Sequence, residues 1–397
     1  MNILFITMVW PLAANDSNLY SDLMDEFVVR GHNVSVATLC EKRNKISTGI
    51  SIENGIEVLR VKCGNIQKTN KFNKVISSFV GGFLLKKFVL KYYNRKQIDL
   101  IVFALPPLTI AKKVVAIKKR FDSKLYLLLK EFWPQDPADL GALKVGGFVW
   151  KYFKRLEFIL LNNSEYIGTM SKKGIEYVNK NYPNINSIIE INTNSERDRG
   201  FIKLTQTEKN KIRGEFGIDV DKKVFVFGGN LGVSQGINEM ICSIKECADL
   251  NDINFIIVGN GTEKKKLTEE LSNQSNVVFL DMLKKNEYER LVKACDFGLI
   301  FLSPKFSVPN IPSRTVTYLM YGLPIVVCAN NCTDIGEIIE QNGCGYASIN
   351  GDVKSFKNNL IKIMSGNYNE LSNNCIKLFK KTFSTSVSCE TIISHFN

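Results

Sequence analysis

Histidine is scarce in this sequence, with two residues, His32 and His395, among 397. Catalytic Ser-His-Asp and Cys-His arrangements and multi-histidine metal sites depend on histidine, so most mechanisms of these kinds are excluded. Cysteine occurs at ten positions, but no two have the C-x-x-C spacing of zinc or redox motifs. Several cysteines stand in apolar runs such as PIVVC, which favours reduced, buried thiols over disulfides.

Long hydrophobic runs are also missing. The longest apolar run outside the predicted strands, residues 75–85, is too short for a membrane span of about 20 residues. The first ten residues, MNILFITMVW, lack a basic region and a cleavage site, so they predict a buried strand and not a signal peptide. A composition of 45% hydrophobic and 23% charged residues is typical of a globular protein. These features predict a cytoplasmic location.

Short apolar runs alternate with helical patterns along the whole chain, which predicts parallel sheets covered by helices. The predicted strands are 3–8, 33–38, 100–103, 124–129 and 166–170, followed by 223–228, 254–258, 276–280, 297–302, 324–328 and 346–349. A polar stretch at 192–221 separates the two groups and is interpreted as a linker. The fold class is therefore α/β, with two Rossmann-like domains, a cleft between them and ligands at the carboxyl ends of the strands.

Positive charge is concentrated in the first half of the chain. The formal charge is +13, and residues 1–190 hold 28 Lys and Arg against 16 Asp and Glu, a surplus of 12. Two segments, 71–96 and 144–158, interleave basic and aromatic residues. They are interpreted either as helices lying on an anionic membrane surface or as ordinary helices with solvated lysines. No nucleic-acid motif accompanies the charge. The membrane or acceptor candidates are Lys74, Lys86, Lys87, Lys91, Trp150 and Lys151.

The second half contains two glycine-rich loops and one distinctive helix start. GGNLG, beginning at Gly228, and IIVGNG, ending at Gly261, each follow a predicted strand. Such a loop before a helix either approaches a phosphate closely or merely turns the chain. In PNIPSRTVTYLMYG, Pro312 suits the first turn of a helix and Gly322 its C-terminal cap. Arg314 then either contacts a diphosphate or is a solvated arginine in a capped helix.

Together these motifs resemble a known family. GGNLG, FIIVGNG, VVFLDMLKKNEYERLVKACDFGLIFL, IPSRTVTYLMYGLPIVV and NGCGY, with KEFWP in the first half, are similar to retaining glycosyltransferases of the GT-B fold, family 4, in the bacterial surface-polysaccharide branch that includes O-antigen and capsule amino-sugar transferases. The resemblance implies an acceptor-binding domain over 1–192, a nucleotide-sugar domain over 193–380, and a helix in 381–397 that returns to the first domain.

The family's reaction moves a sugar from a nucleotide diphosphate sugar, here expected to be a UDP-sugar, to an acceptor hydroxyl with retention, commonly without a metal or other cofactor. The expected acceptor is a polyprenyl-diphosphate-linked glycan, and the basic first domain is expected to attach peripherally to the inner face of the membrane and present it. It implies that Arg314 neutralises the leaving diphosphate and that Glu131 is an acceptor-side polar group or base. The remaining implied donor residues are Gly229, Asn230, Gly232, Gly236, Gly259, Gly261, Met282, Ser313, Thr317 and Asp334.

The sequence departs from the family pattern at several positions. Pro309 and Thr317 stand where many members have two glutamates, Gln235 where a lysine is frequent, and Ala13-Ala14 where the first loop has two glycines. A catalytically silent sugar-nucleotide-binding or scaffolding subunit is therefore the alternative function, whereas an epimerase of similar fold is disfavoured. Two residues keep a structural alternative: Glu131 as a helix N-terminal or salt-bridge residue, and Asp334 as the cap of the following helix.

Overall fold

The computed structural model describes residues 1–12, 16–66 and 71–396 and divides into two compact units. Unit 1 comprises Met1–Arg197 and the residues from Thr385 onward, and unit 2 is Asp198–Ser384. The boundaries therefore fall at 197 and 384, where the sequence suggested 192 and 380. Ala13 and Ala14 lie outside the described residues.

Unit 1 is built on one sheet with helices packed against it. Its strands are β1 (Asn2–Thr7), β2 (Asn33–Glu41), β3 (Gly49–Glu53), β4 (Ile56–Cys63), β5 (Leu100–Leu105), β6 (Lys124–Leu129), β7 (Tyr166–Thr169) and β8 (Ile188–Ile191). Its first helices are α1 (Leu19–Val29), α2 (Lys71–Tyr92), α3 (Ala111–Phe121), α4 (Gln135–Asp139), α5 (Phe148–Leu161) and α6 (Lys172–Asn181). The strand order is β3-β4-β2-β1-β5-β6-β7-β8, with β3 antiparallel to β4 and the other pairs parallel.

Unit 2 is a parallel sheet of the doubly wound type. Its helices are α7 (Gln206–Glu215), α8 (Ile237–Glu246), α9 (Lys264–Glu270), α10 (Lys285–Ala294), α11 (Arg314–Met320), α12 (Ile335–Gln341), α13 (Val353–Ser365) and α14 (Tyr368–Leu378). Its strands are β9 (Lys223–Asn230), β10 (Ile253–Asn260), β11 (Val277–Leu280), β12 (Phe297–Phe301), β13 (Ile325–Ala329) and β14 (Gly345–Ile349). The order β11-β10-β9-β12-β13-β14 is the 3-2-1-4-5-6 arrangement of a Rossmann sheet.

The strand order of unit 2 locates its ligand site. Chain direction across the sheet reverses between β9 and β12, and ligands of such sheets bind at the carboxyl ends of the strands beside that switch point. The strands themselves are held by an apolar core in which Phe225, Phe227, Phe255 and Phe301 are fully buried. A ligand site is therefore expected at the carboxyl ends of β9 and β12.

The last helix, α15 (Thr385–Ile393), belongs to unit 1 although unit 2 separates it from the rest of that unit in sequence. Cys389, Ile392 and Ile393 lie in the same buried cluster as Phe5 and Phe27. Within the described ranges, none of the helices combines the length and the apolar character that crossing a bilayer requires.

Candidate functional site

The first glycine loop lies at the open end of β9. Pairing with β10 continues to Gly229 and Asn230, but pairing with β12 is described only at Phe225 and Val226. Beyond Val226 the strand is therefore separated from β12, as expected at a switch point. Gly229 has φ +128°, a conformation that residues with a side chain rarely adopt.

The second glycine loop, after β10, packs directly on the first. A Cβ on Gly261 would lie 2.2 Å from the Leu231 carbonyl oxygen, so only glycine permits this approach. The Leu231 amide donates to the Asn260 carbonyl oxygen at 2.9 Å, and the Glu263 amide donates to the Leu231 carbonyl oxygen at 2.9 Å. These contacts hold the two loops together. The predicted donor-site residues Gly229, Asn230, Gly259 and Gly261 therefore lie close to one another.

Arg314, the first residue of α11, lies over this loop. Its guanidinium carbon is 4.1 Å from the centroid of the Phe227 ring, and its Nη2 donates to Gln235 Oε1 at 2.6 Å. Nη1 is buried without a hydrogen-bond partner, and a Cβ on Gly229 would lie 3.2 Å from Nη2. Burial lowers the pKa of the guanidinium, but an arginine still remains protonated at neutral pH. The solvated-arginine interpretation is therefore wrong, since the side chain is buried and its described hydrogen bond goes to a neutral amide.

The segment between β9 and α8 brings more backbone donors to the same end of the sheet. Gly236 has φ +57° and precedes α8 without any side-chain cap on the first turn. The start of a helix favours negative charge through its amide groups and its dipole, and Glu239 is the acidic residue of this first turn. Gly232 faces the Asn230 side chain, because a Cβ on Gly232 would lie 2.8 Å from Asn230 Nδ2.

The other predicted donor residues lie at the start of α11, on α11, and after strands β11 and β13. Thr317 is buried on α11, one turn after Arg314, whereas Ser313 is exposed just before the helix. The helix begins at Arg314, two residues later than Pro312 suggested. Met282 is exposed after β11, which is separated from β9 by β10, and Asp334 is buried after β13, which lies beside β12. Asp334 precedes α12, but its side chain makes no capping hydrogen bond, so the capping interpretation is wrong.

Glu131 lies in unit 1, just after β6. Its Oε2 accepts from the Trp133 indole nitrogen at 3.2 Å, and burial raises the pKa of its carboxyl, opposed by that hydrogen bond and by the charge of Lys74. The cap residue of the nearby helix α4 is Pro134, so Glu131 is not its N-terminal cap. Sequence reasoning missed a second buried carboxyl there, Asp136, whose pKa is raised to about 8 by burial and by the charge of Glu131.

The basic and aromatic segments form α2 and α5. Lys74, Lys87, Lys91 and Lys151 are exposed, Lys86 is half-buried, and Trp150 is half-buried with the Lys154 ammonium 5.7 Å from its ring centroid. The two helices meet where the rings of Phe79 and Tyr152 lie 6.3 Å apart. Large apolar side chains are exposed on both helices: Val75, Ile76, Val80 and Phe83 on α2, and Phe148, Val149 and Tyr152 on α5.

Comparison with known proteins agrees with this architecture. Residues 208–382 match the family model described as "Glycosyl transferases group 1". The chain is 23% identical over 267 residues to the putative colanic acid biosynthesis glycosyl transferase WcaI of Escherichia coli. That alignment covers 66% of this chain and 65%, slightly less than two thirds, of the relative.

Solved structures resemble the whole chain in fold. Sucrose-phosphate synthase from Thermosynechococcus elongatus matches with a TM-score of 0.78 at 12% identity, covering 100% of this chain and 98% of that one. HepE from Anabaena, solved in complex with UDP and glucose, matches with a TM-score of 0.69 at 14% identity, covering 100% and 99%. At these identities the likeness concerns the fold.

Two Rossmann-like units in one chain, the second with a glycine-loop and arginine site at its switch point, define a protein of the GT-B fold. Unit 2 is a glycosyl transferases group 1 domain, and the chain is related to bacterial polysaccharide glycosyltransferases. The resemblance of the motifs is thereby confirmed for the fold and for the family of the second unit.

Proposed function

We propose that the protein transfers a sugar, with retention of anomeric configuration, from a UDP-sugar to a lipid-linked glycan in bacterial surface polysaccharide synthesis. The single observation that carries this proposal is the buried, unneutralised guanidinium of Arg314 at the end of β9. An isolated buried charge is costly unless it is paired, and here the nearest hydrogen-bonding partner is a neutral amide. A bound diphosphate supplies the missing negative charge.

The surrounding backbone supports a diphosphate as the ligand. Glycine-rich turns followed by an uncapped helix start are the common phosphate-binding arrangement of Rossmann sheets, and Gly229, Gly232 and Gly236 lie in such a segment. We assign the diphosphate to these amides and Arg314, and the nucleoside to the side of Gly259, Gly261 and Met282. Ser313, Thr317 and Asp334 are assigned to the remainder of the donor.

Charge stabilisation explains a reaction of this kind without a strong base. As the bond from the sugar to the diphosphate breaks, negative charge grows on the leaving group, and preorganised donors in a buried site stabilise it. Arg314 and the loop amides have this role in our proposal, which does not require a metal ion or other cofactor. Glu131, a carboxyl with a raised pKa, is assigned to the acceptor hydroxyl in unit 1.

The donor assignment is tested by thermal shift and calorimetry with UDP and a panel of UDP-sugars. A ligand that binds only the folded protein raises its unfolding temperature as saturation increases. We expect UDP to stabilise the wild-type protein and Arg314→Ala to weaken UDP binding by at least tenfold, which is about 1.4 kcal/mol. Arg290→Ala is the control, because Arg290 is an exposed arginine paired with Glu215 in the same unit. Equal UDP binding by Arg314→Ala and the wild type would overturn the assignment.

The surface of α2 and α5 supports contact with an anionic membrane. Phe83 is 60% and Phe148 88% exposed, and the Lys113 ammonium lies 5.1 Å from the Phe83 ring centroid. Rings beside lysines suit a bilayer interface with anionic headgroups, each basic residue contributing about 1 kcal/mol near the surface. We therefore propose that unit 1 attaches to the inner face of the cell membrane, where a polyprenyl-diphosphate-linked acceptor would reside.

Vesicle flotation tests this attachment. We expect the protein to float with phosphatidylglycerol vesicles and not with phosphatidylcholine vesicles, more strongly at low salt because screening weakens the attraction. Phe83→Ser with Phe148→Ser should reduce flotation by at least tenfold, whereas Ile202→Ser, at a residue of unit 2 that is 77% exposed, should not. Flotation that ignores anionic lipid at both salt concentrations would remove the membrane proposal.

A second candidate function is a catalytically silent subunit that binds the sugar nucleotide. Pro309 and Thr317, which stand where many family members have glutamates, favour it. This alternative predicts UDP-sugar binding with neither transfer nor slow donor hydrolysis. Release of UDP from the bound donor, measured with and without a lipid-linked acceptor, separates the two functions.

A further inference from the structure

Helix α11 contacts the end of β9 at two points that lie one turn apart. Arg314 stacks on Phe227, and the Tyr318 hydroxyl donates to the Val226 carbonyl oxygen at 3.0 Å and accepts from the Gly228 amide at 3.2 Å. Residues four apart on a helix share one face, so both contacts come from the same side of α11. Three consecutive residues of β9 are thereby held by one short helix.

The Tyr318 hydroxyl bonds to the β9 backbone where the described pairing with β12 stops. Described pairing of β12 with β9 ends at Val226, so the Gly228 amide lies beyond the last pair, and the Tyr318 hydroxyl accepts from this amide while it donates to the Val226 carbonyl oxygen. Buried backbone groups without a partner are destabilising, and the single hydroxyl satisfies one donor and one acceptor. The hydroxyl therefore holds the β9 backbone at Gly228, beyond the last described pair with β12 and at the start of the glycine loop.

Two glycines leave the space that the side chains of Tyr318 and Tyr288 occupy. A Cβ on Gly298 of β12 would lie 2.4 Å from the Tyr318 ring, and a Cβ on Gly228 would lie 2.1 Å from the hydroxyl of Tyr288. Tyr318 is buried and Tyr288 is half-buried, and their hydroxyl oxygens are 3.5 Å apart. Gly228 and Gly298 make room for the two tyrosine rings.

We propose that Tyr318 is a positioning residue that holds the Gly228–Gly229 backbone at a fixed offset from the Arg314 guanidinium, so that both engage the same diphosphate. This inference rests on the proposed function, since it assigns the ligand to that site. A diphosphate can bind the Gly228–Gly229 backbone and the Arg314 guanidinium together only if the two lie at a suitable separation. Helix α11 fixes that separation, because Arg314 and Tyr318, whose hydroxyl holds the backbone, lie on adjacent turns. Preorganisation of this kind increases affinity because the loop need not be ordered when the ligand binds.

Tyr318→Phe tests the inference because it retains the ring and removes only the hydroxyl. Tyr321→Phe is a matched control: it removes a buried hydroxyl, just after the same helix, that donates to Glu289 Oε2 of α10 at 2.8 Å. Calorimetry with UDP and with uridine separates the diphosphate from the nucleoside. We expect Tyr318→Phe to weaken UDP about tenfold, equivalent to about 1.4 kcal/mol, and to leave uridine affinity unchanged.

Hydrogen exchange of the ligand-free protein gives a second readout. The amide of Gly228 should exchange faster in Tyr318→Phe than in Tyr321→Phe, because its acceptor has been removed. Equal weakening of UDP and uridine, unchanged UDP affinity, or unchanged exchange at Gly228 would each overturn the positioning role. If the wild-type protein binds no UDP, the proposed function fails and the assignment of a diphosphate to Tyr318 fails with it. If the wild type binds UDP and Tyr318→Phe binds it equally well, the inference alone fails.

Discussion

The guanidinium of Arg314 lies 4.1 Å from the centroid of the Phe227 ring. An aromatic face stabilises a cation through its quadrupole without neutralising it, unlike a carboxylate. The other described contact, to the neutral side chain of Gln235, likewise leaves the positive charge in place. Arg314 is therefore held in a buried position with its charge still available to an anionic ligand.

Changing Gln235 to glutamate should reduce this availability. The carboxylate of Gln235→Glu would stand at the position of the present Oε1, 2.6 Å from Arg314 Nη2. It would neutralise the guanidinium and repel a diphosphate, so we expect UDP affinity to fall at least tenfold, or about 1.4 kcal/mol, with uridine affinity unchanged. Calorimetry measures both ligands.

The control for this change is Gln206→Glu, at an exposed residue at the start of α7. It adds the same charge to unit 2 and should leave UDP affinity as it is. UDP binding by Gln235→Glu as tight as that of the wild type would show that the ligand does not use the charge of Arg314.

Local patterns predicted the sheets of unit 2 well, because a buried strand carries its own apolar signature. They did not predict the surroundings of Arg314, since Gln235 and Phe227 are distant in sequence and meet Arg314 only in the folded unit. The same holds for Tyr318, whose hydroxyl matters because β9 and β12 separate, a property of the sheet and not of any segment.

Helix α7 was not predicted, although the sequence carries a signal for its first turn. Residues 192–221 look like a polar linker, yet Gln206–Glu215 is helical and begins with a capping box between Thr205 and Glu208. That T-x-x-E signal was present in the sequence. The apolar signal was weak because α7 is anchored by polar contacts, such as Arg213 Nε to the Ala294 carbonyl oxygen at 2.8 Å. The strands β3, β4 and β8 were missed as well.

Asp136 should make the stability of unit 1 depend on pH. Burial, with the charge of Glu131, raises the pKa of this carboxyl to about 8, and its Oδ2 accepts from the Phe132 amide at 2.6 Å. In the folded state the carboxyl stays protonated up to that pH, whereas in the unfolded chain it ionises near pH 4. Its contribution to stability is thus complete below pH 4 and is lost as pH rises towards 8.

We expect Asp136→Asn to remove this dependence. Relative to the wild type, its free energy of unfolding should increase by at least about 1 kcal/mol between pH 5 and pH 8. All three tryptophans lie in unit 1, so tryptophan fluorescence during urea unfolding reports on this unit. Asp122→Asn, at an exposed turn, should give a profile parallel to the wild type. A parallel profile for Asp136→Asn as well would contradict the raised pKa.

The docking of α15 should contribute strongly to the stability of unit 1. Ile392 is fully buried in the cluster that contains Phe5 and Phe27, so truncation leaves a cavity in the core. Ile392→Ala should lower the free energy of unfolding by about 2–5 kcal/mol. Ile361→Ala, at a position of α13 that is 44% exposed, should cost far less, and similar losses for the two variants would argue against tight docking.

Lys130 should give a pH dependence opposite to that of Asp136. Its ammonium is buried at the end of β6, donates to the Asn192 carbonyl oxygen at 2.8 Å, and has its pKa lowered to about 7 by burial. Between pH 7 and about pH 10 the unfolded chain therefore binds more protons than the folded one, so this residue makes stability rise with pH over that range. Lys130→Met keeps the apolar stem and removes the titration. We expect its stability relative to the wild type to fall by at least about 1 kcal/mol from pH 7 to pH 9, measured by urea unfolding and tryptophan fluorescence. A relative stability that stays constant over this interval would mean that Lys130 keeps its charge in the folded protein, and that the Asn192 carbonyl alone is enough to hold a buried ammonium.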